Sequence, residues 1–128
     1  MKRLVLSALL VALIAACGPD NPFEPDNPSP SALTGVASGS TTVKLSWTMC
    51  PDANFSSYTI YRSATPDIKN NAGSATVLVE INKNTTTTWF DENLQPGATW
   101  YYAVKTTNES AAFSWSNEVS VKLPSAAL

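Results

Sequence analysis

Apolar and polar residues alternate with a period of two from the fourth decade of the chain to its end. Residues 42–47 put Val43, Leu45 and Trp47 on one face, and residues 57–61 do the same with Tyr58 and Ile60. Residues 76–81 align Val77, Val79 and Ile81, and residues 85–90 are β-branched and then aromatic. Residues 99–107 set Trp100, Tyr102 and Val104 against Tyr101, Ala103 and Lys105, and residues 117–123 align Val119, Val121 and Leu123. A period of two marks strands that bury one face. A weaker strand at residues 33–37 makes seven. Turn signals separate them at Cys50-Pro51-Asp52, Pro66-Asp67, Asn70-Asn71-Ala72-Gly73 and Pro96-Gly97. No segment of this part carries a helical period. Short strands this closely spaced predict an all-β, seven-stranded antiparallel β-sandwich. Trp47 is expected between the sheets, near Tyr58, Ile60, Trp89, Trp100 and Val119.

The first residues follow another pattern. Lys2 and Arg3 precede an unbroken apolar and small-residue run from Leu4 to Ala16. As a helix that run would reach ~20 Å, short of the ~30 Å hydrocarbon core of a bilayer, so it reads as an export signal rather than a span. Its end, Leu13-Ile14-Ala15-Ala16-Cys17, resembles the signal of bacterial lipoproteins. The resemblance implies cleavage before Cys17, a thioether-linked diacylglycerol on its sulfur, and an acyl chain such as palmitate on its new amine. Two or more chains hold a protein stably at a membrane where one does not. Gly18 in place of an aspartate implies, by the same resemblance, sorting to the outer membrane of the cell envelope.

Residues 18–30 read GPDNPFEPDNPSP, with Pro19, Pro22, Pro25, Pro28 and Pro30 at almost every third position. Proline fixes φ and restrains the residue before it to extended backbone, and Asp20, Glu24 and Asp26 keep the segment solvated. The segment reads as a semi-stiff spacer. The expected organisation is a signal peptide at 1–16, the lipidated Cys17 and a proline-rich linker to residue 30, one folded domain at 31–124, and a short tail at 125–128.

Within that domain the motifs resemble the fibronectin type III family. They are Trp47 at a strand end, Tyr58-x-Ile60-Tyr61-Arg62, Leu94-x-Pro96-Gly97, the aromatic strand ending in Val104, and Ser116-Asn117-Glu118-Val119-Ser120-Val121. The resemblance covers residues 30–124 and implies a fibronectin type III or immunoglobulin-like sandwich, a scaffold that carries binding, adhesion and spacing alike. One position departs from it. The family has a tyrosine six residues after the leucine of Leu-x-Pro-Gly, and its hydroxyl bonds back to the neighbouring corner. Here that place holds Trp100. An indole offers an N–H donor alone, which leaves Tyr101 and Tyr102 as candidates for the missing hydroxyl.

Composition narrows the chemistry. The 128 residues contain no His, 2 Cys and a formal charge of −2. Without His, Ser-His-Asp and Cys-His catalysis are excluded, and no basic surface points to nucleic acid. Asp91 and Glu92 are adjacent, so on a strand they point apart. With Asn93 they fall short of the 6 to 8 oxygens that calcium takes. No catalytic residue, no metal ligand and no cofactor beyond the lipid on Cys17 is expected. If Cys17 carries lipid, Cys50 is left without a partner in the chain, and either burial or an intermolecular bond accounts for it. Asn54, Asn84 and Asn108 stand in Asn-x-Ser/Thr triplets, which a eukaryotic secreted chain could glycosylate and which the resemblance to bacterial lipoproteins speaks against using.

Parity puts Tyr61 and Tyr101 on the outer side of neighbouring strands, with Phe113 and Trp115 close by. Their rings are expected to meet on a solvent face, as a binding surface or as pairs that stabilise the sheet. The reading is a non-catalytic, lipid-anchored interaction or adhesion module of the bacterial cell envelope, held to the outer membrane by its anchor, with a protein or a glycan as partner. The alternatives are a passive spacer or assembly subunit, and an accessory carbohydrate-binding module.

Overall fold

A computed structural model describes residues 26–126. The signal at 1–16, Cys17, the linker up to residue 25 and the last two residues of the tail lie outside the described residues. Eight strands form: β1 (Leu33–Ala37), β2 (Val43–Trp47), β3 (Phe55–Ser63), β4 (Thr76–Ile81), β5 (Thr88–Asp91), β6 (Thr99–Asn108), β7 (Phe113–Trp115) and β8 (Val119–Lys122). One sheet runs β1-β2-β5 and the other β4-β3-β6-β7, with β8 on β6 beside β7; all the pairings are antiparallel.

The two inner faces carry the residues that the alternation selects. Val43, Leu45, Trp47, Tyr58, Ile60, Tyr102, Val104, Val121 and Leu123 are buried together, and Trp89, Trp100 and Val119 pack against them. Trp47 meets Tyr58 edge-on, with ring centroids 5.6 Å apart, an arrangement that places a positive ring edge on a negative face. Gly35 lets β1 close on β8: a Cβ there would lie 3.0 Å from a methyl of Val121 and 3.2 Å from one of Leu45.

The last strand differs from expectation. Residues 117–123 read as one strand, yet pairing breaks between β7 and β8, and three side chains replace backbone bonds in the gap. Ser116 Oγ accepts the Val104 N–H at 2.9 Å. The Asn117 amide accepts the Leu33 N–H at 2.8 Å and donates to the Leu33 carbonyl at 2.9 Å, joining the sheets at their edge. The Glu118 carboxylate accepts the Asp67 and Ile68 N–H groups at 3.0 and 2.8 Å. Phe113–Trp115 then forms an eighth strand too short to show a period. The fifth strand also starts later than residue 85, because Asn84 is drawn aside: its carbonyl accepts the Tyr58 hydroxyl at 2.8 Å and its amide donates to the Cys50 carbonyl at 3.2 Å.

A buried carboxylate links the sheets. Asp91 points inward from β5 and receives the Tyr102 hydroxyl of β6 at 2.7 Å. Arg62 of β3 donates from one terminal nitrogen to both carboxylate oxygens at 3.1 Å, and its guanidinium lies 4.4 Å from the Trp100 ring centre. Tyr102 therefore supplies the hydroxyl missing at Trp100, and it bonds to the first sheet through a charged acceptor. Bonds to a charged partner contribute about 1.5–3 kcal/mol, more than neutral ones. The indole N–H of Trp100 is buried without a partner, so Trp100 contributes its ring and not its donor.

The end of the proline-rich linker is part of the domain. Pro28 is buried. The Ser29 N–H and hydroxyl both donate to Asp52, at 2.7 and 2.9 Å. The Asn108 amide donates to the Asp26 carbonyl at 2.8 Å, and the Ser114 hydroxyl donates to the Pro28 carbonyl. Residues 26–29, expected to belong to the linker, accordingly lie against the domain, because Pro-rich composition reports stiffness and not what the segment lies against.

Two outcomes follow from these contacts. The Ser29 bonds hold the Asp52 carboxyl below its ordinary range. A depressed carboxyl stabilises above its unfolded pKa of about 3.9 and loses that contribution as pH falls through the folded value. Asp52→Ala is expected to abolish hydrogen-exchange protection at the Ser29 amide while leaving the β3 and β6 amides protected; unchanged protection at Ser29 would contradict the docking. At the alkaline end, burial first and the Asp91 bond second push Tyr102 ionisation far above the ordinary range. Tyr102 ionises at about pH 10 in the unfolded chain and not in the folded one, so its contribution to stability is complete below that pH and falls above it by about 1.4 kcal/mol per pH unit. Urea midpoints taken from pH 8 to 11 should drop above pH 10, and less steeply in Tyr102→Phe. A midpoint that stays flat to pH 11 would mean that the hydroxyl is not held as described.

Candidate functional site

The outer face of the second sheet brings the four predicted aromatic residues together, with one change in exposure. Tyr61 is on the outer side of β3, as parity requires, yet it is only 8% exposed. The expectation of a solvent-facing Tyr61 is corrected. The link from β3 to β4 folds over it through two short 3-10 turns, Ile68–Asn70 and Ala72–Ser74, and Ile68 is buried against Tyr61 and Ala103. Glu118 fixes this cover by accepting the N–H groups that open the first turn.

The other rings are arranged by strand register. Lys105 of β6 lies opposite Trp115 of β7, and Thr107 lies opposite Phe113. Tyr61 and Trp115 have ring centroids 5.0 Å apart, and Phe113 meets Trp115 edge-on at 6.5 Å. Tyr101 and Trp115 are half-buried against the same cluster, while Phe113 is 47% exposed. The Lys105 ammonium lies 4.9 Å from the Phe113 centroid, 5.7 Å from Tyr61 and 5.9 Å from Trp115. A cation over several ring faces is held by their quadrupoles. Among the described residues no carboxylate forms a salt bridge with it. Alternation had already placed Lys105 on the face of Tyr101; its position among three rings depends on β7, which has no sequence signal.

Beside the rings is an open cleft of about 280 Å³, lined by Asp67, Lys69, Ala103, Ser116, Asn117 and Glu118. Ala103 belongs to both, flooring the cleft and packing with Tyr61. Nothing in the sequence pointed to this cleft, because its walls come from a loop and a strand break about fifty residues apart.

Other candidates are closed. Asp91 has its oxygens occupied by Arg62 and Tyr102, while Glu92 and Asn93 are exposed, so the three do not converge. Among the described residues no group of three or more metal-ligating side chains assembles. Cys50 is buried, its N–H donates to the Tyr58 hydroxyl at 2.8 Å, and burial pushes its thiol above the ordinary range. Of the two readings of this cysteine, the structure shows the buried one. The Asn108 amide is buried and engaged, and that of Asn84 is held by Cys50.

Comparison with known proteins shows the fold. The sixth fibronectin type III domain of human fibronectin type III domain containing protein 3 superposes with a TM-score of 0.65 at 15% identity, over 84% of this chain and 97% of that one. A Fn3-like protein from Clostridium thermocellum gives 0.58 at 25% identity, over 79% and 98%. Pectate lyase PelI from Erwinia chrysanthemi, in complex with tetragalacturonic acid, gives 0.59 at 20% identity, over 72% of this chain. The chain spans 28% of that lyase and 32% of a chicken CNTN1 FN1-FN3 structure that it also matches. No family model and no curated protein matches the sequence. The described domain has the fibronectin type III fold, the two-sheet sandwich that the sequence motifs imply.

The thiol of Cys50 is expected to resist alkylation by iodoacetamide in the folded protein and to react once the chain is unfolded in urea, since the thiolate is the reactive form. Complete alkylation of Cys50 under native conditions would contradict its burial.

Proposed function

We propose that this chain is a non-catalytic interaction module of the bacterial cell envelope, tethered through lipid on Cys17 and presenting the outer face of its second sheet to a partner. The observation that carries the reading is the Phe113–Trp115–Lys105 surface on strands β6 and β7: an exposed ring and an ammonium that, among the described residues, has no carboxylate partner. Aromatic rings fixed on a sheet can contribute contact area without much loss of conformational freedom. The lipobox-like run ending at Cys17 supports the anchor, and Gly18 supports the outer membrane. The absence of His and the enclosure of Asp91, Arg62 and Tyr102 within the packing support a role without catalysis.

A passive spacer is the second reading. It is favoured by the burial of Tyr61 under its own loop, which gives part of the aromatic cluster a structural purpose.

One measurement tests the anchor and a second separates these readings. Cys17→Ser should abolish labelling by a radioactive fatty acid and leave unprocessed or soluble protein; undiminished label would remove the anchor from the account. The double variant Phe113→Ala, Lys105→Ala should keep its fold, because an exposed ring and a half-exposed ammonium bear little of the core. It should also lose retention on isolated cell envelopes by about tenfold or more, the scale of about 1.4 kcal/mol. Retention equal to the parent's would leave the face without a recognition role and favour the spacer.

A further inference from the structure

We propose that the ligand of this face is a neutral oligosaccharide, with one sugar unit in the cleft floored by Ala103 and the next against Trp115 and Phe113. The inference rests on the interaction-module reading and names the ligand class of the same surface. A pyranose ring has an apolar C–H side and a rim of hydroxyls that both donate and accept. The surface offers both complements side by side. Phe113 is exposed and Trp115 half-buried, and the two stand edge-to-face at 83°, so one ring at a time can set its negative face against the weakly positive C–H side. The adjoining cleft carries an ammonium donor, Lys69, and two carboxylate acceptors, Asp67 and Glu118. Lys105 adds a second donor between the rings.

The polar groups are ordered before any ligand arrives. Each Glu118 oxygen is held by one backbone N–H, at 2.8 and 3.0 Å, and a carboxylate has about four acceptor positions. Lone pairs therefore remain for sugar hydroxyls at little ordering cost. Size separates a sugar from a protein partner. Specific protein interfaces take about 800 Å² from each side, whereas the exposed aromatic surface here is one ring of Phe113 and part of Trp115. The cleft volume of about 280 Å³ falls just below the ~300–1,000 Å³ of pockets for drug-sized ligands, room for a single sugar unit. Charge selects within the class. In the cleft lining the carboxylates of Asp67 and Glu118 outnumber the Lys69 ammonium, so the cleft disfavours a sugar acid relative to a neutral sugar and accepts from neutral hydroxyls.

The test uses the mature full chain in detergent and a panel of purified tetrasaccharides: cello-, chito- and manno-tetraose, with tetragalacturonate as the acidic arm. Amide shifts are followed by NMR at ligand concentrations up to about 10 mM, enough to detect a Kd of about 1 mM. At least one neutral tetrasaccharide is expected to shift the amides of Lys69, Ala103, Lys105, Trp115 and Glu118. Phe113→Ala and Lys69→Ala, both at exposed positions, are each expected to weaken that binding about tenfold or more with the remaining spectrum unchanged. The inference is overturned by silence across the neutral panel, by shifts elsewhere on the domain, by unchanged affinity in both variants, or by tetragalacturonate binding tighter than every neutral sugar. Should the panel be silent while envelope retention still depends on Phe113 and Lys105, the sugar assignment falls and the interaction module stands. Loss of that dependence removes the module itself.

Discussion

One buried carboxylate sets the terms for the rest of this domain. Asp91 sits between the sheets, and its charge is tolerable there only because Arg62 and Tyr102 reach it from the opposite sheet. Burying a charge without partners costs several kcal/mol, and removing one partner of a buried pair costs about 3–5 kcal/mol. The sheets are therefore fixed in one relative placement, the one in which β5 faces β3 and β6 at this point. Trp100 follows from it: its ring lies against the Arg62 guanidinium, and its own N–H goes without a partner. The hydroxyl that the family resemblance places at residue 100 is found two residues on, at Tyr102.

That clasp and the side-chain ladder at Ser116, Asn117 and Glu118 divide the polar residues into two sets. One set is engaged in holding the sandwich. Asn117 stitches β1 to the second sheet, and Glu118 pins the loop that covers Tyr61. Among the groups that stay accessible are the outer strip of Lys105, Phe113 and Trp115 and the cleft beside it. The proposed recognition role fits such a strip, since it needs rigid presentation more than convergent acid–base groups. The docked linker residues add a further constraint, because Ser29 on Asp52 and Asp26 on Asn108 fix residues 26–29 against the domain.

Much of the fold was legible because each strand buries one face, and burial writes itself as alternation. Val43, Leu45 and Trp47 are a clear case, and so are Trp100, Tyr102 and Val104. The parts that were not legible depend on partners distant in sequence. Parity put Tyr61 on the outer face correctly, but the loop that buries it is held by Glu118, about fifty residues away. The break after Trp115 is invisible to a period of two, since Asn117 and Glu118 substitute side-chain bonds for a ladder without changing polarity. Pro28 reads as spacer by composition, and its burial depends on Ser114. Of the site, the four aromatic residues could be nominated from the sequence, whereas the Lys105 arrangement and the cleft required the register of β7 and β8.

The claim that Asp91 clasps the two sheets is tested most directly by a double-mutant cycle between Asp91→Ala and Tyr102→Phe, read as urea unfolding free energies at neutral pH. Residues joined in one buried network couple by about 0.5–3 kcal/mol, while independent sites add to within about 0.5 kcal/mol. The expected result is a coupling above about 1 kcal/mol, with Tyr102→Phe costing little once Asp91 is gone. Two single effects that simply add would contradict the account.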